Sequence, residues 1–342
     1  MIMQVYERRF FGHACHHNEA GAGKTISLAH AFRRPPGRLA ACGKGYKISP
    51  MPFAIAAYVL WGIFPAFFPL LTPAAPLEII GHRIVWTAVV MSIIMSCTKT
   101  GWSELRRASA RTWGWLGLAS VLVATNWLVY VIAVNSNHVA DAALGYYINP
   151  LVNVLLGLVF LSERLRPLQK TSITVAATAV VMLTIIAGQP PVQALMLAFS
   201  FGFYGLVKKR VDMSAMASLT AETLILAPVA AGYLLVLEAR GTGTFGHISV
   251  GHSLLLMTAG LVTAVPLLLF GIAARRIQLS TIGMLQYLTP TMQMLWAVFV
   301  TREEIAPLRW VAFGIIWVAV ALYFLDILRF RSTNGRRKAS TG

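Results

Sequence analysis

Charge is what this chain has least of, and acid most of all: Asp and Glu together number 12 in 342 residues, and charged residues of both signs make up 12%. A soluble globular protein carries about 25%. With so few charges the chain cannot cover the surface of a soluble domain of this length, so water is excluded as the solvent of most of it. Cysteine is nearly missing, with only Cys15, Cys42 and Cys97. That excludes a disulfide scaffold, and the thiols are expected to be reduced. A nucleotide-binding loop is missing too. Before Gly23-Lys24-Thr25 the position that must be Gly is Asn18, and no apolar strand precedes it, so direct drive by ATP is not expected. The apolar segments hold no His-Glu-x-x-His pattern, and His13, Cys15, His16 and His17 lack the second half of a structural zinc site. Neither a metal nor another cofactor is expected.

What is present is apolar: 57% of the residues are hydrophobic and the mean hydropathy is +0.68. Apolar runs long enough to cross a bilayer, about 17 to 25 residues, recur from Met51 onward. Ten are read, at 51–71, 78–98, 113–134, 139–161, 168–187, 191–208, 216–237, 252–273, 278–301 and 307–328. The net charge of +17 suggests nucleic acid until the charges are located. Of the 29 Lys and Arg, all but Arg83, Arg240, Arg302 and Arg309 fall in residues 1–50, in alternate loops on one side, or in the tail 329–342. The positive-inside rule then makes both termini cytoplasmic, and no nucleic-acid partner is expected. Residues 1–50 read as a basic, disordered segment without the long apolar core of a cleaved signal peptide. A gene start placed upstream of Met51 gives the same appearance.

The stretch Asp141–Gln169 reads a second time as Thr281–Arg309 at a constant offset of 140. Tyr147 and Tyr287, Pro150 and Pro290, Glu163 and Glu303, and farther out Gly62 and Gly202, coincide without a gap. The chain is therefore expected to be an all-α membrane protein of two repeats, 51–187 and 191–328, each with five transmembrane helices. Five is odd, so the second repeat enters the membrane from the opposite side. Such inverted-topology repeats characterise secondary transporters with a site near the midplane.

Polar residues inside lipid-spanning helices are costly and mark interior sites. In the second span Glu78, His82 and Trp86 share a face, with Arg83 adjacent: a cation and a titratable ring suited to an anion or a proton. Glu222 stands at the position of His82 in the other repeat. It is a second candidate for proton coupling, or a partner for Arg83. In the fourth span Tyr146, Pro150 and Asn153 lie on one helix face, and Gln286, Pro290 and Gln293 repeat it in the ninth. Pro150 and Pro290 are expected to bend their helices and expose amides to a cavity. Asn126 and Tyr130 in the third span, and Tyr58 and Trp61 in the first, add an aromatic and amide wall. Glu163 and Glu303 read as structural groups closing their own helices.

Several of these residues sit in motifs, namely Ala57-Tyr58 with Trp61-Gly62, His82-Arg83, Asn126-Trp127, Leu144-Gly145-Tyr146, Ile148-Asn149-Pro150, Phe203-Tyr204-Gly205 and Glu222-Thr223. As a set, over about residues 51–330, they resemble the EamA-type branch of the drug/metabolite transporter superfamily and, more narrowly, the RarD permeases. The resemblance implies a bacterial inner-membrane permease, not an enzyme. Asn149, Tyr204 and Tyr287 join the candidate cavity on these motifs and on the repeat. The expected partners are a small amphiphilic substrate and the lipid bilayer, with a homodimer as the possible assembly. An intramembrane enzyme and a passive channel are the competing classes. The first needs a convergent nucleophile or metal trio, and the second needs oligomeric rings or a charged filter.

Overall fold

The computed structural model describes residues 49–98, 101–135, 139–187, 192–300, 302 and 307–339. Readings that fall on residues 1–48 and on Glu303 lie outside them. Among the described residues the chain is all helix, without strands. The main helices are α1 (Met51–Gly62), α2 (Pro76–Ser96), α3 (Ala110–Asn135), α4 (Val139–Leu161), α5 (Pro167–Ala187), α6 (Val192–Lys208), α7 (Ala215–Ala239), α8 (Val250–Ala274), α9 (Leu279–Gln286), α10 (Leu288–Phe299) and α11 (Pro307–Ala339). Seven described stretches are long and apolar enough to cross a membrane: Met51–Leu71, Pro76–Ser96, Ala110–Tyr130, Pro167–Ile186, Ala215–Ala239, Val250–Ala274 and Pro307–Phe330. Tyr146–Leu161 and Val192–Lys208 are shorter apolar helices. The chain is a multi-pass membrane protein.

Helix starts follow local chemistry. Pro52, Pro76 and Pro167 open α1, α2 and α5, where the missing N–H costs nothing. Ser214 and Ser249 cap α7 and α8 by accepting the amides of Ala217 and His252 at 3.2 and 3.0 Å. The two prolines expected to bend their helices behave differently. Pro150 lies inside an unbroken α4, whereas the ninth span is interrupted at Tyr287, which separates α9 from α10. The first span is also interrupted: beyond Gly62 it continues as the short turns Phe64–Phe67 and Phe68–Leu71. Pro65 and Pro69 supply no amide to the ladder there.

Lipid tails are as apolar as the helices, so close packing rather than hydrophobic exclusion holds a bundle together. Here it runs through glycines. A Cβ on Gly62 would lie 2.7 Å from Met292 Cβ, and one on Gly202 would lie 2.9 Å from Val152 Cγ1. Gly62 and Gly202 are 140 apart, and so are Val152 and Met292. The same contact thus occurs twice with the halves exchanged. Helix pairs follow suit, with α1 on α8 and α3 on α6, then α1 on α10 and α4 on α6. The central core, Tyr58, Met91, Met95, Tyr204 and Phe270 among others, joins α1, α2, α6 and α8, while a second core joins α4, α5, α6, α9 and α11.

Candidate functional site

Where α1 breaks, its backbone groups are met from the other half of the chain. Pro65 cannot donate to the Trp61 carbonyl one turn back, and Gln293 Nε2 donates there instead at 3.4 Å. Thr289 Oγ1 donates to the Tyr58 carbonyl at 2.9 Å. Across the bundle Asn126 Nδ2 donates to the Leu197 carbonyl at 2.9 Å and to Ser200 Oγ at 3.1 Å, tying α3 to α6. These ties surround a cavity of about 640 Å³, within the size range of small-molecule sites. Of the residues expected there, Tyr58, Trp61, Arg83, Asn126, Tyr130, Tyr146, Asn149, Gln286 and Gln293 line it, with Pro290 beside them. The wall mixes a few amides with more numerous aromatic rings.

Arg83 is the one charged side chain among the described residues of that wall. Its Nε donates to Thr263 Oγ1 at 2.9 Å. The guanidinium carbon stands 4.8 Å from the Trp127 ring centroid, 5.4 Å from Phe68 and 5.8 Å from Phe64. At these distances the negative faces of three rings stabilise the cation. Phe64 and Phe68 are four residues apart on the interrupted end of the first span, so the break that opens the cavity also builds the cage.

His82 and Trp86 do not line the cavity. The His82 ring stacks on Phe245 at 5.0 Å, its Nδ1 accepts from Trp86 Nε1 at 3.3 Å, and its Nε2 is 4.0 Å from Glu78 Oε1. Glu78 Oε1 in turn accepts the Thr244 amide at 2.6 Å and the Thr244 hydroxyl at 3.0 Å, and that hydroxyl meets His252 Nε2 at 3.0 Å. This network pins the 240–249 loop to α2. Adjacent residues on a helix point about 100° apart, which is why Arg83 enters the cavity while His82 faces the loop.

Glu222 does not pair with Arg83. It sits in a buried network at the opposite end of the bundle, where Lys208 Nζ donates to Glu222 Oε1 at 2.5 Å and to Ser218 Oγ at 2.8 Å. Ser218 Oγ donates to Glu222 Oε1 at 2.6 Å, and the Tyr204 hydroxyl to Oε2 at 3.1 Å. Lys208, counted from the sequence as a loop cation, is 2% exposed. It is the last residue of α6, and Tyr204 lies one turn before it. Tyr204 stacks on Phe270 at 6.0 Å, so this aromatic layer stands between the network and the cavity. Asn153 and Tyr287 also lie off the cavity wall. Asn153 Nδ2 donates to Gln286 Oε1 at 2.9 Å, joining α4 to α9, and the Tyr287 hydroxyl is buried with no hydrogen-bond partner among the described residues.

Glu163 caps a helix, but not its own. Its Oε1 accepts the Leu279 amide at 2.6 Å, and its Oε2 accepts the Ser280 amide at 3.0 Å and hydroxyl at 2.7 Å. A carboxylate at the start of α9 is matched to that helix's dipole. The chain reaches this position because Ser162 adopts a left-handed φ of 52°, and Arg302, 140 residues on, has φ 54°.

The sequence reading missed Phe64, Phe68 and Trp127 as the cage of Arg83, Thr263 as its hydrogen-bond partner, and Lys208 and Ser218 as partners of Glu222. One signal was available: Ser218 and Glu222 are four apart, as are Tyr204 and Lys208, which places polar groups on matching faces of consecutive helices.

The EamA-like transporter family profile matches residues 48–185 and 191–325. Protein RarD of Streptomyces exfoliatus is 42% identical over 278 residues, covering 81% of this chain and 88% of that protein. An uncharacterized transporter of Bacillus subtilis strain 168, YojE, is 41% identical over 284 residues, covering 82% and 94%. A solved crystal structure 18% identical in sequence matches with a TM-score of 0.65, covering 82% of this chain and 99% of its own, which is a likeness of fold. The family is one of transporters, not of enzymes.

Proposed function

Because this chain belongs to the EamA-like transporter family, we propose that it is a bacterial inner-membrane secondary permease, moving a small amphiphilic metabolite or drug by alternating access between two inverted five-helix repeats. The cavity between the halves carries this reading: both halves contribute to it, and its wall is aromatic with a few amides. The exchanged glycine contacts and the paired left-handed residues at the offset of 140 support an inverted repeat. With both termini cytoplasmic by charge, the cavity lies mainly toward the periplasm, near the ends of α1, α3 and α10 and the starts of α4 and α6.

The cytoplasmic side is then the closed one. Glu163 caps α9 there, Asn153 holds Gln286, and Gly283 packs so tightly on α4 that a Cβ would lie 2.5 Å from the Pro150 carbonyl oxygen. Rocking one repeat against the other closes the cavity and parts these contacts. Glu222 is the proton-coupling candidate on this reading. A proton on its carboxylate cancels the charge that Lys208 pairs with, and the network becomes reachable when the cytoplasmic side opens.

The test is uptake into proteoliposomes from a panel of amphiphilic metabolites, with and without an imposed pH gradient. Gln286→Ala and Asn126→Ala are expected to abolish uptake, and Glu222→Gln is expected to leave exchange while removing its dependence on the gradient. Uptake at the wild-type rate in both cavity variants would sink the permease reading, and an unchanged gradient response in Glu222→Gln would sink the coupling role alone.

A further inference from the structure

We infer that the cavity takes a monoanionic aromatic acid, its carboxylate bound by Arg83. This rests on the reading of the cavity as the transport site and adds the substrate's charge. Among the described cavity residues Arg83 is the sole charged side chain, and none of them is a carboxylate. Among the described residues it meets one hydroxyl acceptor and three rings, with the phenols of Tyr146 and Tyr130 near enough to act on its charge. Nε is held by Thr263, and the rings of Trp127, Phe68 and Phe64 lie within 6 Å. The terminal nitrogens make no hydrogen bond to any described residue, although a guanidinium has a two-pronged donor edge that matches a carboxylate.

A cation in a membrane interior without an acidic partner is costly, and such groups mark substrate paths. Rings hold a guanidinium in place but are weak acceptors of N–H bonds, so the fork keeps donor capacity for an anion. One arginine without a second cation suits a single negative charge better than a phosphate dianion. The absence of an acid on the described wall gives a ligand ammonium no ion pair, which disfavours cations and zwitterions. Trp61, Trp296 and Phe201 supply an apolar surface for the body of the molecule, and Gln286 and Asn149 supply amides for its remaining polar atoms.

The test uses the full-length protein in phosphatidylcholine nanodiscs, reading tryptophan fluorescence with 3-phenylpropanoate, 3-phenylpropanamide and 3-phenylpropylamine. These three probes share one body and differ in charge. The acid is expected to bind roughly 10- to 100-fold more tightly than the amide or the amine, the range for a charge-assisted hydrogen bond. Arg83→Gln should bring the acid down to the amide while leaving the amide unchanged, which also shows that the variant is folded. Arg83→Lys should recover part of the preference. Equal binding of the three probes to the wild-type protein, or no binding of the acid, overturns the inference whatever the variants do. Repeating the titration with phosphatidylglycerol present separates the sources of anion: suppression of acid binding by that lipid would make the headgroup the occupant and overturn the substrate claim. Failure here is distinct from failure of the permease reading. Uptake of the amide that needs Gln286 but not Arg83 keeps the permease and removes the anion.

Discussion

The buried pair Lys208–Glu222 gives the sharpest energetic prediction. Both side chains are almost wholly buried, 2.5 Å apart, with Ser218 and Tyr204 as their other partners. Removing one member of such a pair leaves an uncompensated charge in a poorly polarisable interior and costs about 3–5 kcal/mol. Removing both returns a packed apolar contact and leaves the protein within about 2 kcal/mol of the wild type. Lys208→Met and Glu222→Leu should therefore each lower stability by about 3–5 kcal/mol, a factor of roughly 150 or more in the folded-to-unfolded ratio. The double variant should recover most of it, so the coupling should exceed about 3 kcal/mol. Unfolding by SDS in mixed micelles, followed by tryptophan fluorescence and far-ultraviolet circular dichroism on all four proteins, measures this cycle. If the double variant sat at the sum of the two single losses, Lys208 and Glu222 would be independent groups and the network no ion pair. A single loss below about 1 kcal/mol would mean that water reaches them.

Other predictions follow from the packing and the caps. Gly260→Ala places a Cβ 2.4 Å from the Trp86 carbonyl carbon, backbone against backbone, while a Cβ on Gly232 meets nothing within 4 Å. The first should cost at least about 1–3 kcal/mol and the second should be neutral or stabilising by up to about 1 kcal/mol, both read from the same SDS titration. Glu163→Ala removes the acceptor of two amides at the start of α9. Hydrogen exchange at Leu279 and Ser280 should accelerate by roughly one to two orders of magnitude, matching a loss of about 1–3 kcal/mol, and unchanged exchange would refute the cap. A phosphatase fused after Ala187 should be active and therefore periplasmic. An inactive fusion that becomes active after Lys208 would remove the odd helix number and the inversion with it.

How much of this was legible in one chain depends on whether the cause lies along the helix or across it. Apolar runs and the prolines are local properties: helix falls on each of the ten runs, with the ninth interrupted near Pro290, but seven described stretches are long and apolar enough to cross a membrane. Pro150 shows the limit: the same residue at the matching position stays inside a continuous helix, so proline alone does not tell where a helix breaks. Lys208 shows it again. At the end of an apolar run a lysine reads as an anchor at the membrane surface, and only its hydrogen bonds to Ser218 and Glu222 on α7 show it turned inward.

The residues of the cavity divide in the same way. Polarity within an apolar helix located Arg83, His82 and Glu222 equally well, since each is expensive in lipid for the same reason. What separates them is how that expense is met. His82 accepts from Trp86, stacks on Phe245 and stands 4.0 Å from Glu78, while Glu222 accepts from Lys208, Ser218 and Tyr204. Arg83 is held by rings, which are weak acceptors for its terminal N–H groups, and it borders a space large enough for a ligand. Unmet hydrogen-bonding capacity beside a void therefore ranks the three where cost alone does not, and it makes Arg83 the residue whose removal should change what the protein recognises.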